Sequence, residues 1–217
     1  MERLERRINE RFPESGLGRL CCEVLNIGKK ANDRLAWISR PHIPVRIVAG
    51  LIICGTLAGL IKVVSMLRYG DEILNFAVFL QGLDALLGSL FFLTAASASL
   101  VTIEIRIKRK RALQALQELR TIAHIIDMHQ LTKDPELLLL PGTSTPSSPL
   151  REMTAFELSR YFDYCAEMLS LISKVATLYI QEFKDPVAEA TVEQIEDLTT
   201  GLTQKIWQKT MILNMRR

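Results

Sequence analysis

His124-Ile-Ile-Asp127-Met-His129 is the stretch of this sequence in which potential metal ligands crowd most closely. A metal held on a helix needs its ligands on one face, three or four residues apart. His124 and Asp127 meet that condition. His129 follows His124 by five residues, about 140° further round an ideal helix, so it points away unless the helix has already ended. Two ligands do not close a coordination sphere, and Asp134 and Glu136 join only after a chain reversal. The competing reading is a polar turn at a helix end, where histidine suits the negative pole of the helix dipole. His124, Asp127 and His129 are therefore a candidate ligand set that stops short of a site, and no metal or cofactor is expected.

Other catalytic signatures are missing from the sequence. There is no G-x-x-x-x-G-K-[ST], no G-x-G-x-x-G, no C-x-x-C and no G-x-S-x-G. Three histidines leave little material for a nucleophilic triad. Cys165 falls on an apolar repeat and reads as core. Four irregularly spaced cysteines exclude a disulfide-stapled scaffold. Adjacent Cys21 and Cys22 read as reduced thiols on an apolar face, with lipidation as the alternative. A formal net charge of +3 on 217 residues argues against a dedicated nucleic-acid binder. No small-molecule substrate is indicated, and an enzyme is not expected. A metal-dependent enzyme using His124, Asp127 and His129 is the minority reading.

The elements that would position these residues are helical, and two of them are membrane spans. Ile47–Leu67 holds one charge, Lys62, in 21 residues. A helix of that length covers about 32 Å, the thickness of a bilayer's hydrocarbon core. Ala85–Ile103 holds no charge in 19 residues. Core helices of soluble proteins rarely run so long without a polar face. The polar first residues, MERLERRINERF, are not a signal peptide. Lys29, Lys30, Arg34, Arg40 and Arg46 precede the first span, and Arg106, Lys108, Arg109, Lys110 and Arg111 follow the second. The connection at 68–84 offers only Arg68 beside Asp71 and Glu72. Both termini are thus expected on the cytoplasmic side, in an inner membrane or, in a cyanobacterium, a thylakoid membrane.

Gly55 and Gly59 form a G-x-x-x-G pair that admits a close helix neighbour, either the second span or another subunit. Lys62 and Asp84 fall in the same outer half of the hairpin. They read as a snorkelling side chain and a span boundary rather than as an ion pair.

The remainder reads as cytoplasmic helices. Residues 1–44 form a basic amphipathic region in which Leu17–Ser39 either rests on anionic headgroups or packs on the protein's own bundle. Spans 47–67 and 85–103 form a hairpin within 45–103. The second span continues through 104–136 as one helix, with Ala112, Leu116, Leu119, Ala123, Ile126 and Gln130 making a coiled-coil-like stripe. LLLLPGTSTPSSPL within 137–150 reads as a linker. Residues 151–217 read as a helical pair. The first of the pair opens on a capping box, Thr154 to Glu157. It carries stripes at Leu158, Phe162, Cys165, Leu169, Ile172, Ala176 and Tyr179, and at Tyr161, Tyr164, Met168, Leu171, Val175 and Leu178. The last helix is expected to start near Thr191 and to carry Val192, Ile195, Leu198, Leu202, Ile206 and Trp207. Leu158, Phe162, Cys165, Leu169, Ile172, Tyr179 and Trp207 form the expected interaction face.

The segments IAHIIDMHQLTKDPE (122–136), REMTAFELSRYFDYCAEMLSLISKVATLY (151–179) and IEDLTTGLTQKIWQK (195–209) resemble an uncharacterised family of cyanobacterial two-span membrane proteins. The resemblance covers the cytoplasmic half and implies no activity. At the level of architecture alone, the chain is similar to the SLATT two-transmembrane effectors of bacterial conflict systems.

The fold expected from all this is all-α: a two-helix transmembrane hairpin carrying a cytoplasmic helical bundle. The function expected is non-enzymatic, with the bundle serving oligomerisation, assembly or docking of a membrane-complex partner. An oligomeric channel, using the hydroxyls of Ser89, Thr94, Ser97, Ser99 and Thr102, is the alternative.

Overall fold

Apolar residues recurring with a period near 3.6, without alternating strand patterns, leave the chain little choice but helix. The computed structural model describes residues 1–39, 43–69, 76–135 and 153–215, and among them every regular element is an α-helix. These are α1 (Glu2–Arg11), α2 (Gly16–Ser39), α3 (Ile43–Tyr69), α4 (Phe76–Gln130), α5 (Ala155–Glu182) and α6 (Pro186–Asn214). The 137–150 linker, residues 70–75 of the connection and the side chain of Lys62 lie outside the described residues. The chain divides into two units, one of residues 1–39 with 109–217 and one of residues 40–108.

The first unit is a helical bundle. Residues 109–130 of α4 present Ala112, Leu116, Leu119, Ala123 and Ile126 to a closed core, each of them fully buried. Facing them on α5 are Phe162, Cys165, Met168, Leu169, Ile172 and Tyr179, and on α6 Ala188, Val192, Ile195, Leu202 and Ile206. Fully burying a side chain of this size contributes about 1.5–3 kcal/mol, so this core dominates the unit's stability. Arg109 meets Asp185 at one end of the α4–α6 pair and Gln130 meets Lys209 at the other, so these two segments run parallel. The intervening α5 returns antiparallel to both.

The N-terminal region belongs to this core. Leu17, Leu20, Cys21, Val24, Ile27, Ala31, Leu35 and Ile38 of α2 are buried in it, which is the packed arrangement of the two weighed for Leu17–Ser39. Helix α1 lies across the bundle through Leu4, Ile8 and Phe12, spaced i, i+4, i+8 on one face. The Phe12 ring meets Tyr161 and Tyr164 edge-on, at centroid distances of 5.8 and 6.3 Å. Lys29–Glu2 and Arg7–Glu167 ion pairs, at 2.7 and 2.6 Å, flank it.

Local signals set the helix ends. Thr154 and Glu157 exchange reciprocal hydrogen bonds, the capping box read from the sequence. Ser15 Oγ accepts from the Gly18 N–H at 3.1 Å and caps α2. The last helix begins at Pro186, not near Thr191. Asp185 accepts from the N–H groups of Val187 and Ala188, and Pro186 occupies the first turn, where its missing N–H costs nothing. The same Asp-Pro pair that stops α5 therefore starts α6.

The second unit contains α3 and residues 76–108 of α4. Arg46 Nε lies 3.9 Å from Glu104 Oε2, which sets the start of α3 beside the far end of this α4 segment, so the two helices run antiparallel. One helix among the described residues is long and apolar enough to cross a membrane, the α4 segment from Leu80, and none of its most apolar window is buried. The apolar run of α3 described in full is Arg46–Gly59, shorter than a span requires.

Candidate functional site

The candidate ligands do not converge. Helix α4 stays helical through Gln130, so His124 and His129 keep the angular separation of an unbroken helix. His124 is exposed and Asp127 half-buried. His129 is turned toward the start of α2, where a Cβ added to Gly16 would stand 2.7 Å from its Cε1. The ring thus fills the space that the glycine leaves. Among the described residues, no three His, Cys, Asp or Glu side chains gather as a metal site would require.

The polar cluster of the core lies one residue further on. Gln130 is buried, and its carbonyl oxygen accepts from Lys209 Nζ at 3.0 Å. That ammonium serves one of the unpaired carbonyls at the C-terminal end of α4. Tyr161 Oη donates to the His129 carbonyl at 3.5 Å. Cys165 lies between Gln130 and Tyr161, and burial pushes its thiol up to about 12, against the pull of Lys133 and Lys209. A thiol held neutral and out of solvent is no nucleophile. The layer satisfies helix ends rather than activating a group.

The second polar cluster is the Arg109–Asp185 pair. Asp185 accepts from Arg109 Nε at 2.9 and 3.0 Å and from the Val187 and Ala188 N–H groups at 3.0 and 3.1 Å. Burial alone would raise its pKa, but these four hydrogen bonds and the guanidinium charge outweigh it and hold the carboxyl below its usual value. Arg109 was read from the sequence as one member of a basic run that sets membrane topology. Its side chain also joins α4 to the α5–α6 joint.

The expected interaction face is largely covered by the chain itself. Leu158, Phe162, Cys165, Leu169, Ile172 and Tyr179 are at most 3% exposed, all within the bundle core. Trp207 differs, at 66% exposed. Adjacent helical residues are 100° apart, so Ile206 and Trp207 cannot share a face, and Ile206 is the buried one.

Two open grooves border the bundle. One of about 510 Å³ lies between α1 and α5 and is lined by Arg7, Arg11, Phe156, Arg160, Asp163 and Glu167. Two of its arginines are paired, Arg7 with Glu167 at 2.6 Å and Arg160 with Asp163 at 3.1 Å. The other, about 770 Å³, runs between α2 and α4 past Glu23, Lys30, Gln117, Glu118 and Ile122.

In the second unit, α3 and α4 carry unburied Ile47, Leu51, Leu57, Ile61, Leu87, Leu90, Phe91, Phe92 and Val101. Soluble proteins do not present continuous apolar surface on this scale to water. The hydroxyls of Ser89, Thr94, Ser99 and Thr102 donate to carbonyls of the preceding turn, at 2.7 to 3.0 Å. Their protons are thereby committed to the helix's own backbone. Among the described residues, nothing lies within 4 Å of a Cβ built on Gly50, Gly55, Gly59 or Gly88. Glu104, a residue past the uncharged run, pairs with Lys108 at 2.9 Å as well as with Arg46. Asp84 is exposed. Compared with protein-family models, curated proteins and solved structures, the chain matches none.

Proposed function

We propose that this chain is an integral membrane protein held by a two-helix hairpin, with both termini on the cytoplasmic side. Its bundle is a non-catalytic module for self-association or assembly with a membrane partner. The observation that carries the reading is the contrast in burial between the two units. The bundle closes its core completely, while the most apolar stretch of α4 has none of its residues buried. Lipid is the solvent that such a surface matches. The basic residues Arg106, Lys108, Arg109, Lys110 and Arg111 then belong on the cytoplasmic side. The bundle's polar groups serve helix ends and ion pairs, which supports an assembly role over catalysis.

Alkaline carbonate extraction of membranes carrying the full chain tests the anchor. The protein is expected in the pellet with integral proteins, and release into the supernatant overturns the reading. Labelling of single cysteines placed at Asp71 and at Glu193 tests topology. Only the first is expected to react with an impermeant maleimide from the non-cytoplasmic side.

A further inference from the structure

The two places where the chain leaves the bundle lie at the same end of it. Gly16 at the start of α2 meets His129 near the end of α4, and residues 23–30 of α2 line one groove with residues 114–125 of α4. Helix α2 therefore runs antiparallel to that part of α4, and its buried Leu35 and Ile38 approach the level of Arg109. The α5–α6 joint is fixed at this same end, because Asp185 is held to Arg109 Nη2 at 2.8 Å. Arg109 follows Ile103, the last residue of the uncharged run, by six positions. At a helical rise of 1.5 Å these cover about 9 Å, comparable with the headgroup layer of a bilayer.

We infer that the α5–α6 joint is a membrane contact of its own, in which Lys184 and Lys110 engage anionic lipid headgroups while Pro186 and Val187 enter the interface. The inference rests on the membrane-anchor reading above and adds a lipid-binding surface on the bundle. Three observations make lipid the occupant. The first is the tether: six residues reach about 20 Å even when fully extended, so the joint pinned to Arg109 stays close to the bilayer that holds the uncharged run. The second is charge. The segments that form this end or lead from it, 33–46, 104–111 and 182–189, hold nine Lys/Arg against five Asp/Glu: Asp33, Glu104, Glu182, Asp185 and Glu189. Two of these acids are already engaged, Glu104 by Arg46 and Lys108, and Asp185 by Arg109. The surplus is positive, and the cytoplasmic leaflet attracts basic residues that lie within a Debye length of it. The third is the pattern at the joint. Lys184, Pro186 and Val187 are exposed, Val187 by 43%, whereas Asp185 and Ala188 between and beside them are buried. A lysine flanked by exposed apolar side chains suits the boundary between headgroups and acyl chains. Glu189 and Glu193 are exposed further along α6, which confines the contact to the joint.

The test uses the full chain with Val187→Cys in a Cys22→Ser, Cys54→Ser background, labelled with an environment-sensitive fluorophore and reconstituted into vesicles. The vesicles contain phosphatidylcholine with or without phosphatidylserine, and a small fraction of lipid carrying a nitroxide on its headgroup. The label at 187 is expected to be quenched at least threefold more strongly in the phosphatidylserine vesicles than in phosphatidylcholine alone. A label on Gln204→Cys, exposed about 25 Å further along the same helix, is expected to show only background quenching. Lys110→Glu with Lys184→Glu is expected to return the label at 187 to that background while leaving the thermal midpoint of the bundle in place, because both lysines are exposed. Quenching at 187 no greater than at 204 overturns the inference, as does a signal that the charge reversal leaves unchanged. Equal quenching in the two kinds of vesicle overturns the assignment to anionic lipid. Each of these outcomes leaves the anchor intact so long as carbonate retains the chain in the pellet, whereas release by carbonate overturns the anchor reading and this inference together.

Discussion

Arg109 and Asp185, 76 residues apart in sequence, are joined side on, with Nε 2.9 Å from Oδ2 and Nη2 2.8 Å from the same oxygen. The carboxylate is 3% exposed and also caps α6. One residue therefore starts α6 and fastens it to α4. Asp185→Asn keeps the shape and part of the cap but removes the charge that Arg109 faces. The Arg109 side chain is about a third exposed, which lowers the cost below that of a fully buried pair, to about 2 kcal/mol. Thermal unfolding of the detergent-solubilised chain should show the loss.

The same pair sets an acid limit on stability. The folded-state pKa of Asp185 lies below its ordinary value, so the folded state binds fewer protons than the unfolded one. Its stabilisation is complete above the ordinary carboxylate value near 3.8 and is lost as pH falls from there through the folded value. Glu157 in the capping box and Glu2 beside Lys29 are shifted the same way and act in the same window. The thermal midpoint should drop steeply below about pH 4, and the drop should be shallower in Asp185→Asn. Equal pH profiles for the two proteins would show that the pair does not couple to folding.

Most of the bundle was legible in the sequence because its buried positions keep a helical period. Ala112, Leu116, Leu119, Ala123 and Ile126 are all core, as are Leu158, Phe162, Cys165, Leu169 and Ile172. What covers them was not legible. Periodicity says which face of a helix is apolar and is silent on its neighbour, so the α5 stripe read equally well as an external interface. The expected start near Thr191 missed Pro186 because proline was weighed as a helix breaker without its tolerance at the first helical position. The Arg109–Asp185 and Arg46–Glu104 pairs each join distant segments and leave no local pattern. Trp207 was grouped with Ile206 by hydrophobicity alone, although the 100° between them separates interior from surface. The long apolar surface of α4 was the clearest signal, since an extended uncharged run is read directly from composition.

Cysteine reactivity should divide by burial. Cys21 and Cys165 are buried, and loss of hydration pushes their thiols up to about 11 and about 12. Cys22 and Cys54 are exposed. Maleimide labelling in detergent at neutral pH followed by intact-mass measurement should modify Cys22 only, because Cys54 lies within the proposed 47–67 span and is covered by detergent. Denaturant should then release Cys21 and Cys165 for reaction. Rapid modification of Cys165 in the folded protein would mean that the α4–α5–α6 core opens locally.

Glu14 holds the turn between α1 and α2 with φ at 57°, in the left-handed region where side chains other than glycine's are strained. Glu14→Gly relieves that strain, at the expense of a more flexible unfolded chain. The net gain should be about 0.5–1 kcal/mol, read as a rise in thermal midpoint. Glu14→Ala keeps the Cβ and should show no such gain, which separates a backbone effect from the loss of a charge.

His129 and Gly16 give the sharpest way to tell a packing histidine from a ligand. A methyl group on Gly16 would meet the His129 ring at 2.7 Å, so the ring must shift to admit it. By propensity alone, Gly16→Ala favours α2. The two effects separate in a double-mutant cycle. Gly16→Ala should be less favourable in the wild type than in a His129→Ala background by about 1 kcal/mol or more. A ligand role predicts something different: a stabilising response to added zinc that His124→Ala and His129→Ala each abolish, with no coupling to Gly16. The contact supports the first outcome, because the ring is turned to the α2 backbone while His124 stands in solvent on another side of the same helix.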